Sequence, residues 1–257
     1  MNLTTLFFRL VSYAKYYYKA QSDLYIHSPF IFEWVNTIQA GLAVEITSIK
    51  NYRNSLQNDN SEFKFIDFGK INLTNISARY LKTSITDLYG KVLLATSAYI
   101  QAKTFIELGT SFGVSTAYIY SSNSIIKGTT IDANPIAIDK SKELFNLWYP
   151  AHILNFVNGN FDKTLPIVIN ELGSVDFVFI DGDHKLVSTR HYLELIMPAL
   201  AENAAVILDD IRWSPEMYKA WLQASQHADF NYVVDYGRIG VLFKVNNHSP
   251  KQYFTLH

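Results

Sequence analysis

The sequence predicts an α/β fold: a doubly wound sheet of seven strands, mostly parallel, preceded by a helical appendage. Two observations carry this. From residue 100 onward, short apolar runs alternate with stretches of helical length, the pattern of strands buried between two helical layers. The first forty residues instead repeat apolar positions at three- and four-residue spacing, the period of a helix. With 257 residues, 49% of them hydrophobic, the chain has the length and apolar content for one large domain with an appendage.

The elements follow in order. Leu6, Phe7, Leu10, Val11, Tyr13, Ala14, Tyr17 and Tyr18 form an apolar stripe on a first helix, expected to pack on the main domain. Ser28-Pro29 reads as a helix start, with Ser28 as cap and Pro29 in the first turn. That helix carries Phe30, Ile31, Trp34, Val35 and Ile38 and stops near Gly41. The polar run Asn51–Glu62 has little to bury and reads as a loop. The boundary falls between an appendage or lid of residues 1–84 and a main domain of residues 85–257. Strands are expected at 104–108, 128–132, 153–157, 175–180 and 205–208, with helices at 114–122, 135–147 and 188–200 between them. The runs 232–236 and 240–244 flank Gly237-Arg238-Ile239 and read as a hairpin, so the C-terminal strand is antiparallel.

Composition excludes several chemistries. A formal net charge of -1 offers no general basic excess for nucleic acid. The absence of cysteine removes disulfides, thiolate metal sites and thiol nucleophiles. Any metal must be held by oxygen or imidazole. Arg9 and Lys15 interrupt the most apolar early stretch, which reads neither as a membrane span nor as a signal peptide. A cytoplasmic location is therefore expected.

The chemistry-bearing residues gather after strands. Gly109 and Gly113 follow the first strand, at the crossing where open α/β sheets seat nucleotide-like ligands; a plain strand-to-helix turn is the alternative. Ser111 stands where a dinucleotide motif would have its middle glycine, which disfavours a nicotinamide enzyme. Glu107 is a carboxylate inside a central strand, costly to bury without a cationic ligand or a donor network. Asp132 ends the second strand, where a carboxylate can take both hydroxyls of a ribose, or else cap the next helix. Asn160 or Phe161, after the third strand, is placed to contact the base of a bound nucleoside, with a simple turn as the alternative. Asp181 follows the fourth strand, and Asp209 and Asp210 the fifth. Three carboxylates on one edge repel one another, and a hard divalent cation would relieve this, magnesium foremost, with manganese or calcium also compatible. Caps and loop-amide acceptors are the alternative. His184 shares the loop of Asp181 and suits a general base near neutral pH. His27, His152 and His191 have no such context and read as structural.

Together these features resemble the class I S-adenosylmethionine-dependent methyltransferases, with their Rossmann-like sheet, and within them the metal-dependent small-molecule O-methyltransferases of the catechol and caffeoyl-CoA type. The resemblance covers residues 85–245. Its first motif is the run from Glu107 through Gly109, Thr110, Ser111, Gly113 and Ser115, which in that family holds the amino-acid end of S-adenosylmethionine. The resemblance implies ribose binding at Asp132 and further cofactor contacts at Asn160, Phe161 and Asp181. It implies metal ligation by Asp181, Asp209 and Asp210, the last standing where that family has Asn. His184 stands where that family has its catalytic lysine, with Asp181 as its catalytic companion. At Glu202–Ala205 many relatives have a glycine turn, and a different turn is expected here. The implied reaction is methylation of a small-molecule hydroxyl, with no nucleic-acid partner and no membrane span. The aromatics Tyr25, Phe30, Phe32, Trp34 and Trp213 are candidates for an acceptor pocket, and residues 1–40 for a homodimer contact. The alternative is a non-catalytic binding or scaffold protein that keeps the fold.

Overall fold

The computed structural model describes residues 3–22, 26–67, 70–247 and 249–257. The chain begins with α1 (Leu3–Lys19), α2 (Pro29–Leu42), α3 (Thr47–Gln57), the strand pair β1 (Glu62–Asp67) and β2 (Lys70–Asn75), α4 (Ile76–Thr83) and α5 (Asp87–Tyr99). The alternating region follows as β3 (Thr104–Leu108), α6 (Val114–Tyr120), β4 (Lys127–Asp132), α7 (Pro135–Trp148), β5 (Leu154–Asn158), α8 (Phe161–Leu172), β6 (Val175–Ile180), α9 (Leu186–Ile196), β7 (Leu200–Leu208), α10 (Pro215–Ser225), β8 (Tyr232–Tyr236), β9 (Ile239–Lys244) and β10 (Gln252–Thr255).

The central sheet has the order β10-β8-β9-β7-β6-β3-β4-β5. All strands from β7 to β5 run parallel, β9 runs antiparallel to both neighbours, and β10 lies parallel to β8. The sheet is doubly wound, as expected, because successive strand residues feed opposite cores. Phe105, Phe177, Phe179, Ile207 and Phe243 pack under α2, α5, α6 and α7. Ile106, Val178, Ile180, Val206 and Leu242 pack under α8, α9 and α10. Alternation along a strand places neighbours on opposite faces, and both faces here are apolar.

Several elements depart from the sequence reading. Residues 51–62 are not a loop but mostly α3, which buries Ile49, Tyr52 and Leu56 at helical spacing. Three apolar positions on an otherwise polar segment suffice because Tyr52 reaches the main core. The β1–β2 pair, which follows α3, is likewise absent from the sequence reading. Glu202–Ala205 forms no turn: β7 starts at Leu200, and a bulge there lets Leu200 and Ala205 oppose Val175 and Phe177. The sheet also gains an eighth strand, β10. In α1 the helix is present, but it buries Ser12 and Tyr16 while Phe7, Leu10, Tyr17 and Tyr18 face outward. Tyr16 donates a hydrogen bond to the carbonyl of Leu256, fixing α1 to the end of β10. No helix among the described residues is long and apolar enough to cross a membrane.

Candidate active site

The turns leaving β3, β4, β6 and β7 meet at the carboxyl edge of the sheet. Ladder hydrogen bonds continue past the strands there: the amide of Asp181 donates to Leu108 (2.8 Å) and that of Asp209 to Ile180 (3.0 Å). Ser111, Asp183 and Asp210 adopt positive φ in these turns. Such conformations cost free energy and persist where the surroundings enforce them, often at functional sites.

The β3–α6 turn forms a backbone cradle. Gly109 has φ 106°, and a β-carbon there would collide with the carbonyl oxygen of Asp181. Gly113 has φ 71° and starts α6, with the Tyr52 hydroxyl where its β-carbon would lie. Tyr52 donates to the carbonyl of Phe112 at 2.9 Å, so the appendage buttresses this turn. Beneath it, Glu107 is completely buried. Its Oε2 accepts from Thr130 (2.6 Å) and from Thr116, while Oε1 has no partner. Burial pushes the Glu107 carboxyl up to about 7, against the lowering effect of Ser115, Thr116 and Thr130. Thr110 shares a 2.5 Å contact with Thr130. The structure therefore brings Glu107, Gly109, Thr110, Ser111, Gly113 and Ser115 into one unit. A narrow cleft connects Gly109, Ser111, Ser115 and Asp181 with Tyr80 and Ile85.

Asp132 faces the same turn. Its two carboxylate oxygens accept the amides of Ser111 and Asn134, each at 2.8 Å. Burial pushes this carboxyl up, and the two amides hold it back. The cap of α7 is Asn134, whose side chain accepts from Ile136 and Ala137. After β5, Asn160 caps α8 by accepting from Asp162 at 2.8 Å. The Phe161 ring lies against Gly182 and meets Tyr192 edge-on.

The acidic half of the edge contains a residue that the sequence reading missed. Arg238, in the β8–β9 turn, donates from Nε to Asp209 Oδ1 (2.8 Å) and from Nη2 to Asp209 Oδ2, and its Nε lies 3.1 Å from Asp210 Oδ1. Asp209 is fully buried beneath this fork. Burial, then the charges of Asp209 and Asp210, push the Asp181 carboxyl well above its ordinary range. His184 sits beside the cluster, with Nε2 3.6 Å from Asp181 Oδ1 and Nδ1 buried without a partner. Its ring lies 6.2 Å from that of Trp213, and the Arg9 guanidinium of α1 stacks 4.9 Å over Trp213. The inner side of α1 thus lies beside the acidic edge.

Residues 106–211 match the family model described as a methyltransferase domain. Among solved structures, an O-methyltransferase from Bacillus cereus in complex with S-adenosylhomocysteine superposes with a TM-score of 0.61 at 15% identity, covering 79% of this chain and 93% of that one. An S-adenosylhomocysteine-bound methyltransferase from Podospora anserina gives 0.59 at 14% identity, over 77% and 88%. An O-methyltransferase from Streptomyces achromogenes involved in tomaymycin synthesis, in complex with S-adenosylmethionine, gives 0.58 at 13% identity, over 80% and 92%. At these identities the likeness shows the fold. No curated protein matches the chain by sequence.

The turn after β3 offers a bound ligand an acceptor and open backbone. Glu107 Oε1 is a buried, unpartnered acceptor suited to an ammonium group, and the Gly109 cradle leaves backbone where a side chain would intrude. A divalent ion fits less well. Asp181, Asp209 and Asp210 do converge after β6 and β7, but Arg238 takes both oxygens of Asp209 and one of Asp210. Among the described residues, no group of three or more His, Asp or Glu is placed to hold a metal. The structure does not show the expected metal site; the cation paired with Asp209 and Asp210 is the Arg238 guanidinium.

The expected aromatic acceptor pocket also changes. Phe30 stacks on Tyr232 (4.5 Å between centroids), and Trp34 is buried with Nε1 donating to Thr96 at 3.0 Å, so both are core residues. Phe32 is exposed. Tyr25 lies outside the described residues. Trp213 alone of these candidates is placed beside the site.

Proposed function

We propose that this chain is an S-adenosylmethionine-dependent methyltransferase that methylates a hydroxyl group of a small molecule. One observation carries the reading: within the matched domain, the Gly109 cradle, with the buried, unpartnered Glu107 Oε1 below it, borders a cleft that reaches Asp181, the neighbour of His184. When bound, the cofactor supplies an electrophilic methyl group. Glu107, Gly109, Thr110, Ser111, Gly113 and Ser115 hold its amino-acid end. Asp132 keeps acceptor capacity after taking the Ser111 and Asn134 amides, because each carboxylate oxygen has two lone pairs; that capacity serves the ribose. Asn160 and Phe161 border the base.

On the acceptor side, His184 takes the hydroxyl proton, in the manner of a neutral imidazole base. Asp181, 3.6 Å from Nε2, positions the ring. Trp213 provides a flat wall for the acceptor, and α1 in the appendage of residues 1–84 serves as a lid over this side. The proposal contains no metal step. Its test is calorimetric titration of S-adenosylhomocysteine into the wild type and Asp132→Ala. Micromolar binding that weakens at least about tenfold in the variant supports it. No binding to a folded wild type overturns it and favours the scaffold alternative.

A further inference from the structure

The position of Arg238 follows from topology. Because β9 runs antiparallel to β7, it begins where β7 ends, with Gly240 opposite Leu208. The residue two positions before Gly240 must then lie beside the carboxyl edge, next to Asp209 and Asp210. Independent contacts hold its backbone there. The Arg238 amide donates to the Tyr89 hydroxyl (3.3 Å), and its carbonyl accepts from Ile211 (3.0 Å). The preceding carbonyl, of Gly237, accepts from Arg212 at 2.5 Å. Arg212 is itself buried and paired with Asp235 through both terminal nitrogens. The guanidinium therefore belongs to a clamped turn and satisfies a fully buried carboxylate.

We infer that Arg238 is the resident cation of the acidic cluster, and that methyl transfer here, if it occurs as proposed above, proceeds without a divalent ion. A metal bound through Asp209 would have to displace a bidentate, charge-assisted fork, the strongest kind of side-chain pairing, and then lie beside the guanidinium it displaced. Arg238 holds Asp209 and Asp210 without presenting open coordination positions to a substrate. The acceptor is consequently oriented by His184 and the walls, not by chelation. The substrate class this favours is a lone hydroxyl; two adjacent oxygens are not required.

The test uses Mn²⁺ as probe, read by loss of the free-ion paramagnetic resonance signal, on wild type, Arg238→Ala and the Arg238→Ala/Asp209→Asn double variant. The wild type should leave the Mn²⁺ signal unchanged up to about 1 mM, and its S-adenosylhomocysteine affinity should be the same with magnesium or with chelator. Removing the guanidinium should open a site, so Arg238→Ala should bind Mn²⁺ at least about tenfold more tightly, and the double variant should lose that gain. One tight Mn²⁺ per wild-type chain, abolished by Asp209→Asn, overturns the inference, as does a folded Arg238→Ala that gains no Mn²⁺ binding. If Arg238→Ala does not fold, Arg238→Gln replaces it and is judged by the same criteria. The same samples separate the two readings. Wild type that binds S-adenosylhomocysteine and Mn²⁺ together sinks only this inference. Wild type that binds neither, with Mn²⁺ binding gained in Arg238→Ala, sinks the methyltransferase reading and leaves the role of Arg238 standing.

Discussion

Replacing Glu107 by Gln should change how stability depends on pH. In the folded protein the Glu107 carboxyl is pushed from 4.5 to about 7, foremost by burial. Below pH 4.5 it is protonated in both folded and unfolded chains and contributes no pH dependence. As the pH rises toward 7, the unfolded chain ionises first, and folding loses stability until the folded carboxyl ionises too. The displacement from 4.5 to about 7 corresponds to about 3 kcal/mol, most of it between pH 5 and pH 8. The amide oxygen of Gln can still accept from Thr116 and Thr130. Its amide nitrogen, where Oε1 now lacks a partner, adds a penalty that does not vary with pH. Urea unfolding of both proteins at pH 5 and pH 8 isolates the effect, because the other titrating groups cancel. The wild-type midpoint should fall relative to the variant by about 0.8 M between the two pH values, for a slope near 3 kcal/mol per M. Parallel behaviour of the two proteins would refute the claim that Glu107 is forced toward neutrality by its site. With saturating S-adenosylhomocysteine, an ammonium group beside Oε1 should favour the carboxylate and shrink the difference.

Other outcomes follow from the same contacts. Arg212→Met leaves the largely buried Asp235 without its cation and should cost about 3 kcal/mol, read as a fall of roughly 10 °C in the unfolding temperature; an unchanged temperature would show that the pair contributes nothing. His184→Ala should lower kcat by about 10²- to 10⁴-fold while leaving S-adenosylhomocysteine affinity within about twofold; equal losses in both would assign His184 to cofactor binding. Gly109→Ala combines a positive φ with a collision against the Asp181 carbonyl and should cost about 2–5 kcal/mol of stability. It should also abolish S-adenosylhomocysteine binding in calorimetry; retained affinity would mean the cradle is not the cofactor seat.

What was legible in the sequence is what is local. The strand-turn-helix run from Glu107 to Ser115, the acidic residue at the end of β4 and the acids after β6 and β7 could be read because each motif sits within a few residues of its own strand. Asn51–Glu62 could not, because the helical signal of α3 is three apolar residues whose worth depends on Tyr52 meeting Phe112 and Phe145 across the fold. The outward stripe of α1 misled for the opposite reason. Periodicity identified a helix correctly but not which face is covered, since the buried side carries Ser12 and Tyr16 and the apolar stripe does not. Phe30 and Trp34 had the composition of a binding wall and proved to be core, a choice that only their neighbours decide.

Arg238 was within reach of inference, although no motif marks it. Gly237-Arg238-Ile239 reads as a hairpin turn, which places an antiparallel strand pair at one side of the parallel sheet. If the second strand, and not the first, pairs with β7, its start must coincide with the carboxyl end of β7, and the turn residue must face Asp209 and Asp210. The deciding fact is the crossing order, β7-β9-β8, which sequence proximity argues against because β8 comes first along the chain. That order divides the site by range. The half built on Glu107, Ser111 and Asp132 is assembled by contacts within one unit of roughly thirty residues, so it can be read from a motif. The cation of the acceptor half arrives from outside residues 106–211, so a carboxylate triad resembling a metal site can be neutralised by a residue that no motif records.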